Sequence, residues 1–449
     1  MPSNKGQVKL NSVNIVAHIK QLANWFIRKN VQTQSSKKVK TSLALVFALA
    51  WVYYALHAFV AHRMLSPWTT GEWLINYGGG FQRRGALGTF TLALSDLTSL
   101  TPTFIAFVSQ AVIAAVGIFL LFRLLSSRDC PLSLFMVLAG PMGFFYFLSD
   151  LAVVGRKEMI LYVLTLLWLL YLRRPSMTSR KKSKNTFLLL TFSLMFTFAI
   201  LSHEGFIFYM PILLWVTLAS DMQGLVWTPW RFLRQTSPLL SSVLFSVPAL
   251  ILATDDSVGS GMCAAVTTRG EETFICSGAI NLAADAAIEN LFFSTVQDNL
   301  WPWLTAYLPI ALILLFLILA FSNNYMKSVN LFQVKVNTNW SIVGLFAFSL
   351  PIFIVSVDWG RYLSVFFTIS SIGLLSLYQE RKNFEISSHI PTHHGIFNSR
   401  LVRNLGVAIV TAYFLFFGVS HIGGNYQPLT VSFLNQSGRM LEIIAGILF

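Results

Sequence analysis

Charged side chains stand beside long apolar runs at four places in this sequence. The sets are Arg63, Glu72, Arg83 and Arg84; Asp150, Arg156, Lys157 and Glu158; His203 and Glu204; and Asp358 and Arg361. Carboxylates and imidazoles transfer protons, whereas guanidinium and ammonium groups bind phosphate. Charges next to apolar segments usually face a water-filled cavity or one another. We therefore expect the four sets to share one basic cavity; the alternative is that they are ordinary charges of solvated loops.

Glu72 is the first acid of the chain, in the segment TTGEWLINYGGGFQRRGALG. Burial beside apolar side chains raises the pKa of a carboxyl group toward the range of a general base. Glu72 is therefore a candidate catalytic residue. The alternative is an ion pair between Glu72 and Arg63 or Arg83.

Basic residues follow the glycines of the same segment, Gly78–Gly80. Glycine lets a backbone approach a ligand closely, and arginine binds phosphate in a bidentate fork, so Arg83 and Arg84 are candidate phosphate ligands. The lysine and strand–helix context of a nucleotide-binding P-loop are missing. The alternative is that these arginines extend to lipid headgroups.

Three further pairs complete the candidate site. Arg156 and Lys157 are candidates for a second phosphate, with Asp150 and Glu158 as supporting groups, or they mark the membrane interface. His203 and Glu204 interrupt an apolar run, and neighbours on a helix point apart, so we expect one in the site and one in the scaffold. Asp358 and Arg361 are either an ion pair three residues apart or, with Arg361 as a phosphate ligand, part of the cavity.

Composition sets the class of protein. The chain has 449 residues, of which 55% are hydrophobic and 11% charged, against roughly 25% charged in soluble domains. This excludes a soluble cytosolic enzyme and predicts an all-α polytopic membrane protein. The net charge of +14 falls mostly in short clusters between apolar runs, which is the orientation signal of membrane proteins. No zinc-finger spacing or RNP motif occurs, so we expect no nucleic-acid partner.

The apolar runs predict about eleven transmembrane helices, within a range of ten to twelve. They are 41–62, 102–125, 131–149, 158–172, 186–202, 205–220, 237–254, 303–321, 341–357, 362–378 and 404–420. With a cytoplasmic N-terminus, most of the 32 Lys and Arg residues lie inside and most of the 18 Asp and Glu residues lie outside, as the positive-inside rule requires. Residues 41–449 then form one transmembrane domain.

The segments outside the membrane have distinct predicted roles. Residues 1–40 form a basic cytoplasmic segment, either an interfacial helix or a disordered tail. Large periplasmic loops span 63–101 and 255–302, and Leu87, Phe90, Leu94 and Leu97 predict a surface helix in the first.

The cysteines and histidines of the chain could form a disulfide bond or bind a metal ion. Cys263 and Cys276 are a disulfide candidate in an oxidising compartment; the bond would contribute about 3 kcal/mol in the chain-entropy model. The alternative is two unrelated small residues. Cys130 lies on the inner side and should stay reduced. His389, His393 and His394 fit a solvated loop better than a metal site, so we assign no metal ligand.

Three motifs carry a resemblance. Residues 76–88 (NYGGGFQRRGALG), 150–158 (DLAVVGRKE) and 202–205 (SHEG) resemble elements of polytopic inner-membrane proteins from bacterial surface-polysaccharide gene clusters. The layout is similar to GT-C glycosyltransferases, with an acid in the first outer loop, although those usually carry two acids where Glu72 stands alone. Arg83, Arg84 and Arg361 are similar to the outer-face arginines with which O-antigen polymerases hold lipid pyrophosphate.

The resemblance implies a glycosyltransferase in the bacterial inner membrane that acts at the periplasmic face. Its substrates would be polyprenyl-(di)phosphate-linked sugars of O-antigen or exopolysaccharide synthesis, and it would act as polymerase or as single-sugar transferase. Glu72, His203 and Glu204 would be catalytic. Membrane lipids and polysaccharide assembly proteins are the other expected partners; no nucleotide cofactor is expected, and a divalent metal is left open. The alternatives are a transporter or flippase of a lipid-linked glycan and a non-enzymatic scaffold.

Overall fold

A computed structural model shows that the chain is mostly helical. The structure describes residues 30–31, 37–126, 130–148, 150–173, 182–220, 229–251, 258–284, 288–326, 328–331, 334–385, 409 and 420. The α-helices are α1 (Lys37–Arg63), α2 (Gly85–Thr98), α3 (Pro102–Ser126), α4 (Leu132–Ala139), α5 (Glu158–Leu172), α6 (Lys182–Ser202), α7 (Met210–Ser220), α8 (Pro229–Ile251), α9 (Val258–Thr267), α10 (Ala279–Ala284), α11 (Ile288–Tyr325), α12 (Thr338–Ser349), α13 (Pro351–Val355) and α14 (Trp359–Glu385).

Two short antiparallel ladders depart from the all-α prediction. Strand β1 (Asn30–Val31) pairs with β2 (Cys130–Pro131), and β3 (Ser328–Leu331) forms a hairpin with β4 (Val334–Asn337). Each ladder joins two strands, and helices make up the rest of the regular structure in the part of the chain that the structure describes.

Among the described residues, four helices are long and apolar enough to cross a membrane: Lys40–Arg63, Pro102–Ser126, Val296–Tyr325 and Trp359–Gln379. Each exceeds the roughly 20 residues that a bilayer core requires. They overlap the predicted spans 41–62, 102–125, 303–321 and 362–378. The helices at 158–172, 186–202 and 204–220 are apolar but shorter.

Two predicted spans are not continuous helices. In 131–149, helix α4 ends at Ala139, because Gly140 and Pro141 follow and proline cannot continue the backbone ladder. The chain then turns so tightly that a side chain at Gly143 would collide with the carbonyl oxygen of Val137. In 341–357, Pro351 separates α12 from α13.

Other predictions lie outside the described residues. These are the helix or tail of the N-terminal segment apart from 30–31 and 37–40, the histidines His389, His393 and His394, and the span 404–420 apart from residues 409 and 420. The loop predicted at 255–302 overlaps α11, which begins at Ile288.

Helix α14 runs through the centre of the main apolar core. It is buried along its whole apolar length, from Trp359 to Gln379, and it packs against α4, α5, α7 and α11. Arg173, directly after α5, donates hydrogen bonds to Ser376 Oγ (3.1 Å) and Gln379 Oε1 (3.0 Å) of α14. Helices α5 and α14 are therefore joined at the end that lies away from the charged residues described below.

A second, smaller core joins the two segments predicted as large loops, 63–101 and 255–302. Trp73, Leu74 and Ile75 pack there with residues of α9 and α10. Cys263 and Cys276, the candidate pair, form a disulfide bond beside this core, and Cys130 is a buried cysteine outside that bond. The segment that carries Glu72 therefore packs against a part of the chain that the Cys263–Cys276 disulfide cross-links.

The predicted surface helix is present as α2. Its predicted apolar stripe is divided, however: Leu87 is buried in the second core, whereas Phe90 and Leu97 are exposed. The buried face instead adds Thr91, Leu92 and Ser95, because α2 rests on the segment of Glu72 and on α3.

Candidate active site

Glu72 lies in a 3-10 helix, Gly71–Leu74, and is almost completely buried. Its Oε2 accepts a hydrogen bond from Arg156 Nη1 at 2.7 Å, and the side chain of Arg156 is also largely buried. The alternative predicted from the sequence, an ion pair between Glu72 and Arg63 or Arg83, was wrong. The partner comes from a different loop, 84 residues further along the chain.

Backbone contacts hold the loop of Arg156 against Glu72. The indole N–H of Trp73 donates to the carbonyl oxygen of Gly155, and the N–H of Gly155 donates to the Tyr54 hydroxyl of α1 at 3.1 Å. Gly155 has φ +75°, a conformation that glycine adopts without strain. Two neighbouring contacts therefore join the same two segments: the ion pair between Glu72 and Arg156, and the hydrogen bond between Trp73 and Gly155.

Asp150 supports this loop from its beginning. Its Oδ1 accepts a hydrogen bond from the N–H of Ala152 at 3.0 Å, and the carbonyl oxygen of Ala152 accepts one from Arg156 Nε at 2.9 Å. Asp150 thus shapes the turn that positions Arg156.

Arg361 connects three of the predicted sets. It lies in the first turn of α14, where its Nη2 is 2.6 Å from Glu158 Oε1 and its Nη1 is 3.0 Å from Asp358 Oδ2. Glu158 is the first residue of α5, a position where a helix dipole favours a carboxylate. Glu72 Oε1 lies 4.0 Å from the same Nη2.

His203 lies between these groups and is completely buried. Its Nε2 is 3.1 Å from Arg361 Nη2 and its Nδ1 is 3.2 Å from the backbone N–H of Gly205. Both ring nitrogens face N–H groups. A protonated imidazole carries a hydrogen on each nitrogen, so neither nitrogen could then accept a hydrogen bond from its neighbour. Burial, together with the charge of Arg84, lowers the pKa of His203 to about 3. The ring is therefore neutral.

Glu204 points away from His203, as expected for neighbours. It binds Arg84 in a bidentate ion pair, with Arg84 Nε 2.7 Å from Glu204 Oε2. Lys157 is fully buried, and its ammonium group donates to the carbonyl oxygen of Ser202 at 2.9 Å. Arg83 is half-buried, and its backbone N–H donates to Gln82 Oε1 at 3.2 Å.

We call the nine residues that this arrangement brings together the ion cluster. They are Glu72, Arg84, Arg156, Lys157, Glu158, His203, Glu204, Asp358 and Arg361. Four carboxylates and four cations balance, and the imidazole is neutral. The expectation of a basic cavity was therefore wrong: the sets converge, but each arginine of the cluster is matched by an acid, because burial of an unpaired charge is very costly.

The environment of Glu72 also reverses the expected direction of its pKa. Burial alone raises the pKa of this carboxyl, as the sequence analysis assumed, but Arg156, Arg361 and Lys157 outweigh it and hold the pKa well below its usual range. Lys157 shows the opposite balance: burial outweighs the nearby carboxylate of Glu72 and lowers its pKa to about 8.

A small cavity of about 20 Å³, enough for about one water molecule, lies beside the ion cluster. Arg156, Glu158 and Arg361 form its charged side, and the remaining lining comes from Tyr54, Phe144, Tyr146, Phe147, Val153, Met159, Tyr162 and Ser364. These aromatic residues are not among the site residues predicted from the sequence. Their signal in the sequence is the run Phe144–Phe147 just before Asp150, which the apolar pattern assigns to a membrane span.

The glycines at 78–80 have a different role from the one expected. A side chain at Gly79 would collide with the carbonyl oxygen of Val258, and one at Gly78 with Ala265. These glycines therefore let the loop pack closely against α9, rather than against a ligand.

In the part of the chain that the structure describes, no group of three His, Cys, Asp or Glu side chains is arranged to hold a metal ion. Comparisons with models of known protein families, with curated proteins and with solved structures find no match for this chain. The site must therefore be interpreted from its own geometry.

Proposed function

We propose that this protein is a membrane glycosyltransferase that uses a polyprenyl-phosphate- or polyprenyl-diphosphate-linked donor. It would act at the periplasmic face of the bacterial inner membrane, in the synthesis of O-antigen or another surface polysaccharide, with about eleven spans and a cytoplasmic N-terminus. Such a donor already carries a good leaving group. The protein then has to supply cations for the developing phosphate charge, a proton acceptor for the acceptor hydroxyl, and a place that orients the sugar.

The observation that carries this proposal is the position of the two arginines. Arg156 and Arg361 line one cavity, and Glu72 lies between them, 2.7 Å from the first and 4.0 Å from the second. Both arginines and the carboxylate of Glu158 therefore meet at the cavity wall, and Glu72 lies buried behind the arginines. Tyrosine and phenylalanine rings form most of the remaining lining; both offer apolar faces, and the tyrosines add hydroxyl groups at the ring edge. This combination suits a sugar attached to a phosphate.

The ion pairs assign different roles to the candidate cations. Arg84 is engaged bidentately by Glu204, so we propose that this pair is scaffold. Arg156 and Arg361 are the proposed phosphate ligands, and Glu72 is the proposed proton acceptor. His203 orients Arg361 through its Nε2 contact of 3.1 Å.

Purified protein in liposomes tests this proposal directly. With a polyprenyl-diphosphate-linked glycan as donor, Arg361→Gln should lower the transfer rate by about 10²-fold or more, the effect of removing one preorganised donor to a developing anion. Arg269→Gln is the matched control, because Arg269 forms an exposed pair with Asp96 away from the cavity. Equal transfer rates in both variants, with both folded, would remove the basis for the proposal.

The lipid-linked intermediates of a deletion strain separate the two forms of the proposal. Complete single repeat units accumulate if the protein is a polymerase, because nothing joins the finished units. Truncated units accumulate if it adds one sugar. Both outcomes agree with glycan transfer, whereas normal polysaccharide would contradict it.

A transporter or flippase of a lipid-linked glycan is the second candidate. The observation that favours it is the charge balance of the ion cluster, since transporters often hold buried charges in closed pairs. The liposome assay distinguishes the two candidates. Movement of the labelled donor across the bilayer without a new glycosidic bond would support transport.

A further inference from the structure

Helix α2 lies next to the ends of two helices that are long enough to cross a membrane. Helix α1 ends at Arg63, α3 begins at Pro102, and the two pack against each other. Helix α2 belongs to the segment that joins them, and only three residues separate its last residue, Thr98, from Pro102. With α1 and α3 in the bilayer, α2 therefore lies close to the bilayer surface.

One side of α2 is apolar and is not covered by the protein. Five residues share this side within an arc of about 100°, because they recur at successive helical turns. They are Ala86, Phe90, Ala93, Leu94 and Leu97, none of which is buried. Phe90 is 52% exposed and Leu97 is 81% exposed. We call these five residues the exposed face of α2. Apolar patches of this kind mark contacts with another protein or with a membrane.

The exposed polar residues Thr89 and Asp96 lie on a different side of α2. They are seven residues apart and therefore share a side, which is turned by about 100° from that of Phe90 and Leu97. Asp96 accepts hydrogen bonds from Arg269 Nε and Nη2, both at 2.7 Å. An exposed ion pair of this kind is at home in water, whereas apolar side chains gain free energy by leaving it. The polar side therefore suits water, and the exposed face suits an apolar partner.

The exposed face of α2 continues an apolar stripe of α6. The rings of Phe90 and Phe198 pack edge to face, with their centroids 6.0 Å apart. Phe198 lies one turn before the end of α6 at Ser202, and the helix is apolar from Thr186 onward. Three exposed residues precede Phe198 on the same side of α6: Phe187, Leu190 and Leu194. A row of exposed apolar side chains along an apolar helix indicates a side that faces lipid, and α2 extends this side at its end.

We infer that the exposed face of α2 docks onto the lipid bilayer, so that α2 lies in the membrane interface where the stripe of α6 ends. Amphipathic helices bind in this zone by burying their apolar face about 5–10 Å deep, at the boundary between headgroups and acyl chains. The inference does not depend on glycan transfer, because it needs only a bilayer around α1, α3 and α6.

The opposite side of α2 carries the segment of Glu72. A side chain at Gly88 would collide with the carbonyl oxygen of Ile75, so the helix and this segment are in direct backbone contact. Arg84, the residue before α2, forms the ion pair with Glu204. Docking of α2 therefore keeps the ion cluster at the level of the lipid headgroups.

Spin labels on α2 test the docking in the full-length protein. Single cysteines are introduced by Ala93→Cys or Leu97→Cys on the exposed face, and by Asp96→Cys as the matched control on the same helix. All three carry Cys130→Ser and keep the Cys263–Cys276 disulfide bond. The labelled proteins are placed in phosphatidylcholine vesicles. Collisions of each label are then measured with oxygen, which concentrates in lipid, and with a nickel chelate, which stays in water.

We expect the ratio of oxygen to nickel collisions to be several-fold higher at positions 93 and 97 than at position 96. All three side chains are exposed, so the labels should leave the fold intact, and equal thermal unfolding of the three proteins checks this.

Two results would overturn the inference. Equal ratios at the three positions, with frequent nickel collisions, would place the exposed face in water. Rare collisions with both reagents at positions 93 and 97 would show that protein covers it. In that case, spin–spin broadening that disappears on dilution with unlabelled protein would identify the cover as a second copy of the chain.

Discussion

Breaking the ion pair between Glu72 and Arg156 should destabilise the protein in a way that removing both partners does not. Arg156→Gln leaves a buried carboxylate with one net negative charge in the ion cluster, and Glu72→Gln leaves one net positive charge. The double variant restores the balance of the cluster. The structure therefore predicts strong coupling between the two substitutions.

The magnitude follows from the geometry. Side-chain exposure is 11% for Arg156 and 2% for Glu72, so solvent screens the pair weakly. Two charges with centres about 4 Å apart interact by about 4 kcal/mol at an effective dielectric constant of 20. Removing one partner of a buried pair costs about 3 to 5 kcal/mol. We expect each single variant to lose about that much, and the double variant to regain at least about 2 kcal/mol of the summed loss.

Unfolding of the four proteins in mild detergent by increasing denaturant measures this double-mutant cycle. The same cycle at Asp96 and Arg269, an exposed pair away from the cavity, is the control and should give a much smaller coupling, because solvent screens this pair. Additive losses at Glu72 and Arg156, within about 0.5 kcal/mol, would refute the interpretation of the cluster as a set of mutually dependent charges.

Two further predictions concern Lys157 and the disulfide. Because burial lowers the pKa of Lys157 to about 8 from 10.5 in the unfolded chain, the unfolded state holds more protons between these values. Lys157 should therefore raise the free energy of unfolding by about 3 kcal/mol as the pH rises from 8 to 10.5. The Lys157→Met variant should not show this rise. Parallel curves of stability against pH for the two proteins would contradict the prediction. Cys263→Ser should cost about 3 kcal/mol of unfolding free energy, whereas Cys130→Ser should have no comparable effect; equal thermal unfolding of the two variants would show that the bond contributes nothing.

The sequence allowed a good prediction of helix positions. The run 158–172 has the bounds of α5, and 41–62 lies within α1, because long apolar runs can be satisfied only by helices that meet other apolar surfaces. The span 131–149 failed for a local reason. Gly140 and Pro141 stop the helix, and the aromatic residues that follow line the cavity instead of facing lipid.

It was easier to predict which residues belong to the ion cluster than which of them form ion pairs. Every residue of the ion cluster carries a charge or an imidazole beside an apolar run, and that pattern is visible in one dimension. The pair of Glu72 with Arg156 joins two loops through Trp73 and Gly155, and no local pattern encodes it. The pKa of Glu72 was predicted in the wrong direction for the same reason, because burial can be guessed from neighbours in sequence and opposing charges cannot.

Helices α5 and α14 are joined at both ends, by Glu158 and Arg361 at the cavity and by Arg173 and Ser376 at the far end. Fifteen residues separate the two contacts on each helix, about 22 Å at ~1.5 Å per residue. Because the two spacings are equal, neither helix can slide along the other without breaking both contacts. Whatever enters the cavity must therefore displace the part of its lining that lies outside these two helices, which is formed by Tyr54 and by the loop residues Phe144, Tyr146, Phe147, Val153 and Arg156.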